Sequence, residues 1–312
     1  MSTHTRTSPR INRRADGSRS NRAGGRSALK TALIFIAPAA VGFLAFFLFP
    51  TIRGFYFSLT QYNILGQPKF IGFDNFVKLG KDPLFWNALG VTIEYVLLNI
   101  GFQTIIALLL ATLMQRLTQS TLLRGALLMP WLISNVIAAM LWYWLLDYQI
   151  GLVNAVLDWV GLSPQAFFGN EFLAIPTIAF VNVWRHMGYT ALLIYAGMQT
   201  IPKYVYEAAA IDGSSEWSSF WRITLPLLRP VLAMVLVISV TGSFQVFDTV
   251  AVTTRGGPVN VTRVIQYYIF QKAFTEGQFG YASAISVVLF LILAVLAAAQ
   301  LRLLRAGESD LA

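Results

Sequence analysis

Six stretches of the chain, roughly 31–52, 88–114, 124–146, 173–198, 230–251 and 282–301, reach the length of about 20 predominantly apolar residues that a helix needs to cross bilayer hydrocarbon. Their recurrence constrains the fold more than any motif. A segment in lipid must satisfy its backbone polar groups internally, and only helices and closed barrels do so. Runs this long select helices. The sequence therefore predicts an all-α integral membrane protein with six transmembrane helices. Composition agrees, since 56% of the 312 residues are hydrophobic and 12% are charged, outside the range of soluble domains.

Lysine and arginine set the expected orientation. Eight of the 23 basic residues fall between Arg6 and Lys30, in a tail of Ser, Thr, Gly and Asn that reads as disordered. The apolar run after the tail is too long for a cleavable signal peptide. With the tail inside, the inner segments and Arg124 carry fifteen basic residues and the outer loops 53–87, 147–172 and 252–281 carry seven. Both termini are thus expected on the cytoplasmic side. The domains follow: a basic tail over 1–30, one transmembrane domain over 31–304 and a short tail over 305–312. The chain has no cysteine, which excludes disulfides and thiolate metal sites.

One inner segment stands apart. Glu207 to Pro226, EAAAIDGSSEWSSFWRITLP, is too polar for hydrocarbon. Ala208, Ala209 and Ala210 favour a short helix, Gly213 permits a turn, and Pro226 suits the start of the next membrane helix. Such an element, in water against the bilayer, is a docking surface.

The spacing of this segment resembles that of the inner-membrane permease subunits of binding-protein-dependent ABC importers. Their signature is Glu-Ala-Ala, three residues, Gly, nine residues, then Ile-x-Leu-Pro. Here it is matched by Glu207-Ala208-Ala209, Gly213 and Ile223-Thr224-Leu225-Pro226. The resemblance implies a cytoplasmic coupling loop at about 200–228, between helices four and five. Glu207, Ala208, Ala209, Asp212, Gly213, Ile223, Leu225 and Pro226 would engage an ATPase, with Glu207 capping or hydrogen-bonding within the docking helix. It also implies a multi-pass protein of a bacterial or archaeal inner membrane. Its expected partners are a second, different permease subunit, two ATPase subunits, an extracytoplasmic solute-binding protein and lipid, but no nucleic acid. ATP and Mg would sit on the ATPase, since the chain lacks GxxxxGK[ST] and binds no cofactor of its own.

A narrower similarity is to the carbohydrate branch of the family, the maltose and glycerol phosphate type. It is carried by Met129-Pro130-Trp131, Asn182-Val183-Trp184, Ile201-Pro202, Phe247-Asp248 and Gly256-Gly257-Pro258. The positions matching its sugar pocket are Trp131, Asn135, Asn182, Trp184, Tyr189, Ser239, Ser243 and Gln245. Aromatic faces stack on sugar C–H faces, and amides and hydroxyls pair with sugar hydroxyls. The same amides and hydroxyls equally serve to join helices. A transport subunit for another solute, and an integral membrane enzyme, are the alternatives; no nucleophile elbow or paired-carboxylate signature supports the enzyme.

Arg185 lies mid-span, where a charge must face a cavity or a partner. Either it forms a structural ion pair with Asp248, Glu94 or another subunit, or it receives an anionic substrate group. His186, the one histidine outside the tail, reads as a hydrogen-bonded cavity residue, too isolated for a metal site.

Overall fold

The computed structural model describes residues 21–117 and 120–303. It is mostly helical and falls into two units, Met1–Gly54 and Phe55–Ala312. Of the expected tails, 1–30 and 305–312, residues 1–20 and 305–312 lie outside the described residues, whereas 21–30, expected to be disordered, are helical and begin α1.

The first unit contains α1, Asn21–Phe43, a wide turn over Leu44–Leu48, and the first residues of α2, Phe49–Ser58. Pro50 explains the wide turn. Proline offers no N–H to the carbonyl of Phe46 and its ring crowds that carbonyl, so the ladder loosens one turn earlier and Phe49 N–H bonds back to Leu44.

The second unit opens with a two-residue antiparallel pairing of β1, Thr60–Gln61, with β2, Lys69–Phe70. Next comes α3, Asp74–Gly80. Of the aromatic residues around it, Phe70, Phe73 and Trp86 are exposed whereas Phe85 is buried. The long apolar runs then follow: α4, Pro83–Leu117; α5, Thr121–Leu132; and α6, Asn135–Leu145. The third stretch is therefore not one straight helix. It breaks after Leu132, where Ile133 and Ser134 are extended, and α5 and α6 meet at a 92° bend.

After α7, Leu152–Trp159, the chain enters α8, Ala174–Met198, long enough to cross a bilayer but interrupted by Asn182, Arg185 and His186. The coupling segment forms α9, Lys203–Ile211; α10, Glu216–Ser219; a wide turn over Phe220–Thr224; and α11, Leu225–Leu227. Pro226 repeats the device seen at Pro50: the widened turn precedes it by one turn of helix, and Leu225 N–H bonds back to Phe220. The next long helix, α12, Arg229–Phe244, starts three residues beyond Pro226, with its own Pro230 in the first turn. Last come α13, Asp248–Val252; α14, Ile265–Phe270; and α15, Phe279–Leu303. Among the described residues, four helical segments are long and apolar enough to cross a membrane, or five if the bent α5 and α6 pair is counted as one span.

Two buried clusters hold the second unit together. One joins Tyr95, Ile178, Phe244, Val250, Ile265, Tyr268 and Ile285, from α4, α8 and α12 to α15. The other joins Ala107 and Ala111 of α4, Ala191, Ile194 and Met198 of α8, and Val235 of α12. Small residues let these helices approach closely. At Gly188 of α8 a Cβ would lie 1.8 Å from the Leu127 carbonyl oxygen of α5.

Candidate functional site

Between the two clusters, α4, α8 and α12 each carry a short polar interval. Asn182 donates to Asn99 at 2.8 Å, Asn99 donates to Ser243 at 2.8 Å and to Gln103 at 3.2 Å, and Gln103 donates to Thr190 at 2.8 Å. Ser243 in turn donates to the Ser239 carbonyl at 2.7 Å. Asn99, Gln103, Thr190 and Ser243 are buried, so this chain satisfies side chains that would otherwise be costly at that depth.

One edge of the network opens into a cavity of about 320 Å³ bounded by α4, α6, α8, α12 and the turn into α13. Six of the nine expected substrate residues line it: Asn135, Asn182, Tyr189, Ser239, Ser243 and Gln245. The helical repeat explains the α8 contribution. Asn182, His186, Tyr189, Thr190 and Leu193 recur every three or four residues and so share one face. Asn182 and Ser243 both line the cavity and join helices.

Three expected residues stand elsewhere. Trp131 stacks on the cavity residue Tyr189, with ring centroids 4.8 Å apart and planes 8° from parallel. Trp184 lies two residues from Asn182, about 200° around the helix, and packs edge-on against Trp142 outside the cavity. Among the described residues no ion pair within 4.0 Å joins Arg185 to Asp248 or Glu94, although the charge of Asp248 acts on it from farther away. Instead it donates to the carbonyls of Ile133 at 2.8 Å and Trp131 at 3.1 Å, which the break between α5 and α6 leaves without helical partners. Asp248 lines the cavity and accepts from Asn135 at 2.9 Å.

Gln103, Thr190 and Thr249 line the cavity without having been anticipated. Gln103 and Thr190 were legible only as polar residues within spans, a signal that marks helix contacts as readily as a cavity. Among the described residues no three of His, Asp and Glu gather as metal ligands would.

The coupling segment has its own geometry. Asp212 ends α9, and Gly213 at φ +76° reverses the chain. Ser214 N–H bonds to the Ala209 carbonyl at 2.9 Å and Gly213 N–H to Ala210 at 3.1 Å, the paired bonds of a Schellman cap. Ser215 caps α10 by accepting from Ser218 N–H. Tyr206 and Thr224 hydroxyls meet at 3.1 Å and tie the two arms together. Glu207 is exposed in mid-helix and caps nothing; the ends of α9 are held by Pro202 and Asp212. Ala208 is exposed too, whereas Ala209 faces inward. Ile223 and Leu225 are half-buried in the second arm with Pro226.

The opposite end is braced by Asp82, which accepts from the hydroxyls of Tyr268 and Tyr281, both at 2.5 Å. Burial acts to raise the Asp82 carboxyl, but those two hydroxyls and the N–H groups of Leu84 and Phe85 hold it below its ordinary value. Burial, then the bond to Asp82, pushes the Tyr268 hydroxyl up. The Gly256-Gly257-Pro258 turn is pinned close by. Thr262 donates to the Gly257 carbonyl at 2.6 Å, Ile265 N–H to Thr92 at 2.8 Å, and Asn87 to the Asn260 carbonyl at 3.1 Å.

A broken span, a polar mid-helix cavity and a Schellman-capped loop are features that a membrane transport component can use, and the family match supplies the class. The model of the binding-protein-dependent transport system inner membrane component matches residues 103–306, and the chain belongs to that family. It is 32% identical to a probable ABC transporter permease protein, YurN, of Bacillus subtilis (strain 168), over 89% of this chain and 97% of that one. It is 33% identical to the trehalose/maltose transport system permease protein MalF of Thermococcus litoralis, over 84% of this chain and 90% of the relative. A bacterial alginate ABC transporter, solved in complex with an alginate pentasaccharide-bound periplasmic protein, contains a chain of the same fold. The TM-score is 0.79 at 25% identity, covering 94% of this chain and all of that one.

Proposed function

We propose that this chain is one permease subunit of an ABC importer for a sugar or sugar derivative, forming half of the translocation path. The observation that carries this reading is the cavity. Its lining of amides, hydroxyls and a tyrosine, at the level of a helix-joining polar network, offers the paired donors and acceptors that a polyhydroxylated solute needs. The trehalose/maltose and alginate systems named above support the substrate class.

In this reading the chain crosses the membrane six times. The four long apolar helical segments, the bent α5 and α6 pair and α8 each make one crossing, and both termini face the cytoplasm. The loop α9 to α11 then lies on the cytoplasmic side. There Ala208, Ile211 and Trp217, exposed on its surface, meet an ATPase together with Glu207 and Asp212. Gly213 and the half-buried Ile223, Leu225 and Pro226 hold the loop in shape. The partners are a second, different permease subunit, two ATPase subunits carrying ATP and Mg, and an extracytoplasmic binding protein that delivers solute to the outer loops. Closure of the ATPases draws the coupling loops together and turns the cavity from one side to the other. This chain performs no chemistry itself.

Affinity purification of a tagged copy from its native membrane in mild detergent tests the assembly. Recovery of an ATPase, a second permease and a binding protein whose ligand is carbohydrate is the expected result. Recovery without an ATPase, under conditions that preserve other transporters, would overturn the reading.

A further inference from the structure

The break between α5 and α6 poses a problem that the rest of the fold must solve. Ile133 and Ser134 are extended, so the last carbonyls of α5 have no N–H one turn ahead. The Pro130 carbonyl is taken by Ile133 N–H at 3.3 Å. Those of Trp131 and Ile133 have no helical partner, and a carbonyl left unpaired in hydrocarbon has no water to replace it.

Arg185 meets both. Its Nε and Nη2, the two donors on one edge of the planar guanidinium, reach the Ile133 and Trp131 carbonyls at 2.8 and 3.1 Å. Its Nη1 lies 3.0 Å from His186 Nε2, and His186 Nδ1 lies 2.9 Å from the Asn182 carbonyl. Every arginine nitrogen carries hydrogen, so Nε2 accepts from Arg185 and Nδ1 donates to Asn182. The ring is thereby fixed as a neutral tautomer, and the guanidinium is held from both sides.

What hangs on the break is the cavity wall. On the α5 side, Trp131 stacks on Tyr189. On the α6 side, Asn135 donates to Asp248. The clamp bonds to the carbonyl of Trp131 and to that of Ile133, two residues before Asn135. Both contacts therefore depend on the angle at which α5 meets α6.

We infer that Arg185 is a positioning residue that clamps the broken α5 and α6 span at a fixed angle and so sets Trp131 and Asn135 against the cavity, rather than binding solute itself. The effect on transport rests on reading the cavity as the solute path; the clamp does not.

The test uses the absence of cysteine. Leu122→Cys on α5 and Leu141→Cys on α6, both exposed, are spin-labelled in the full importer assembled with cysteine-free partners. The distance between labels is measured without solute. With Arg185 a single narrow distribution is expected. Arg185→Lys keeps the charge but not the parallel pair of donors, and should broaden it. Arg185→Met fills the same space and suits hydrocarbon, so it keeps the test available where Lys fails to assemble; it too should broaden it. In both variants, maximal uptake of the binding protein's ligand should fall while the half-saturating concentration of loaded binding protein holds. An unchanged distribution in both variants, or broadening in only one of two assembled variants, would overturn the clamp. Uptake rescued by Lys and lost in Met would overturn it in favour of an anion receptor. A narrow distribution in the parent with no sugar uptake would instead count against the import reading and leave the clamp standing.

Discussion

Asn182 of α8 donates to Asn99 of α4 across 2.8 Å at the wall of the cavity. Asn99 is fully buried and also donates to Ser243 of α12, so one side chain holds three helices. Asn99→Ala removes two interhelical bonds, each worth about 0.6 kcal/mol on average inside a membrane. The expected loss is about 1–2 kcal/mol, read as a lower unfolding temperature of the purified complex. Solute uptake should fall further than that loss implies, because Asn182 and Ser243 would lose the partner that aims them.

Gly188 is a second test of the same packing. A Cβ there would sit 1.8 Å from a backbone oxygen of α5, and backbone cannot step aside as a side chain does. Gly188→Ala should cost about 3 kcal/mol or more and deplete the folded subunit, measured as the fraction that elutes with its partners in size-exclusion chromatography.

Gly213 should behave differently. A Cβ there meets nothing within 4 Å, but φ is +76°. Gly213→Val therefore fails through backbone strain, on the order of 1–2 kcal/mol or above for a β-branched residue. The strain falls on the loop and spares the membrane helices. Assembly should persist while ATP hydrolysis continues without transport, measured as the ratio of ATP hydrolysed to solute taken up in proteoliposomes.

Asp82 yields a pH dependence. Its folded pKa lies below the ordinary 3.8, so its contribution is complete above about pH 4, the unfolded value, and is lost as pH falls through the lowered folded value. Asp82→Asn should lower stability at pH 7 by about 1 kcal/mol, less than the ~1.5–3 kcal/mol usual for bonds to a charged group because Asp82 is half-buried. The gap between variant and parent melting temperatures should narrow as pH approaches 3.

Much of this was legible in the sequence because it follows from local rules. Glycine at 213 ends a helix, and the 3.6-residue repeat places Asn182 and Tyr189 on one face. The break at Ile133 was not legible: residues 124–146 are almost uniformly apolar, and hydropathy reads them as one helix. Pro130 was the available signal. Arg185 escaped for a related reason, since the acceptors that hold its Nε and Nη2 are backbone carbonyls freed by that break, while the charge of Asp248 acts on it only from beyond ion-pair distance. Trp184 was carried in with its neighbours although it points around the other side of α8. Gln103 and Thr190 needed the third dimension, because only the crossing of α4 and α8 sets them beside each other.

The most direct test of the account is uptake with the cavity filled. Ser239→Trp, in the importer reconstituted with its binding protein and the carbohydrate that protein carries, places an indole in a space of about 320 Å³. The account predicts that the subunits assemble and ATP hydrolysis persists while carbohydrate uptake is lost. Undiminished uptake by the assembled variant would contradict it.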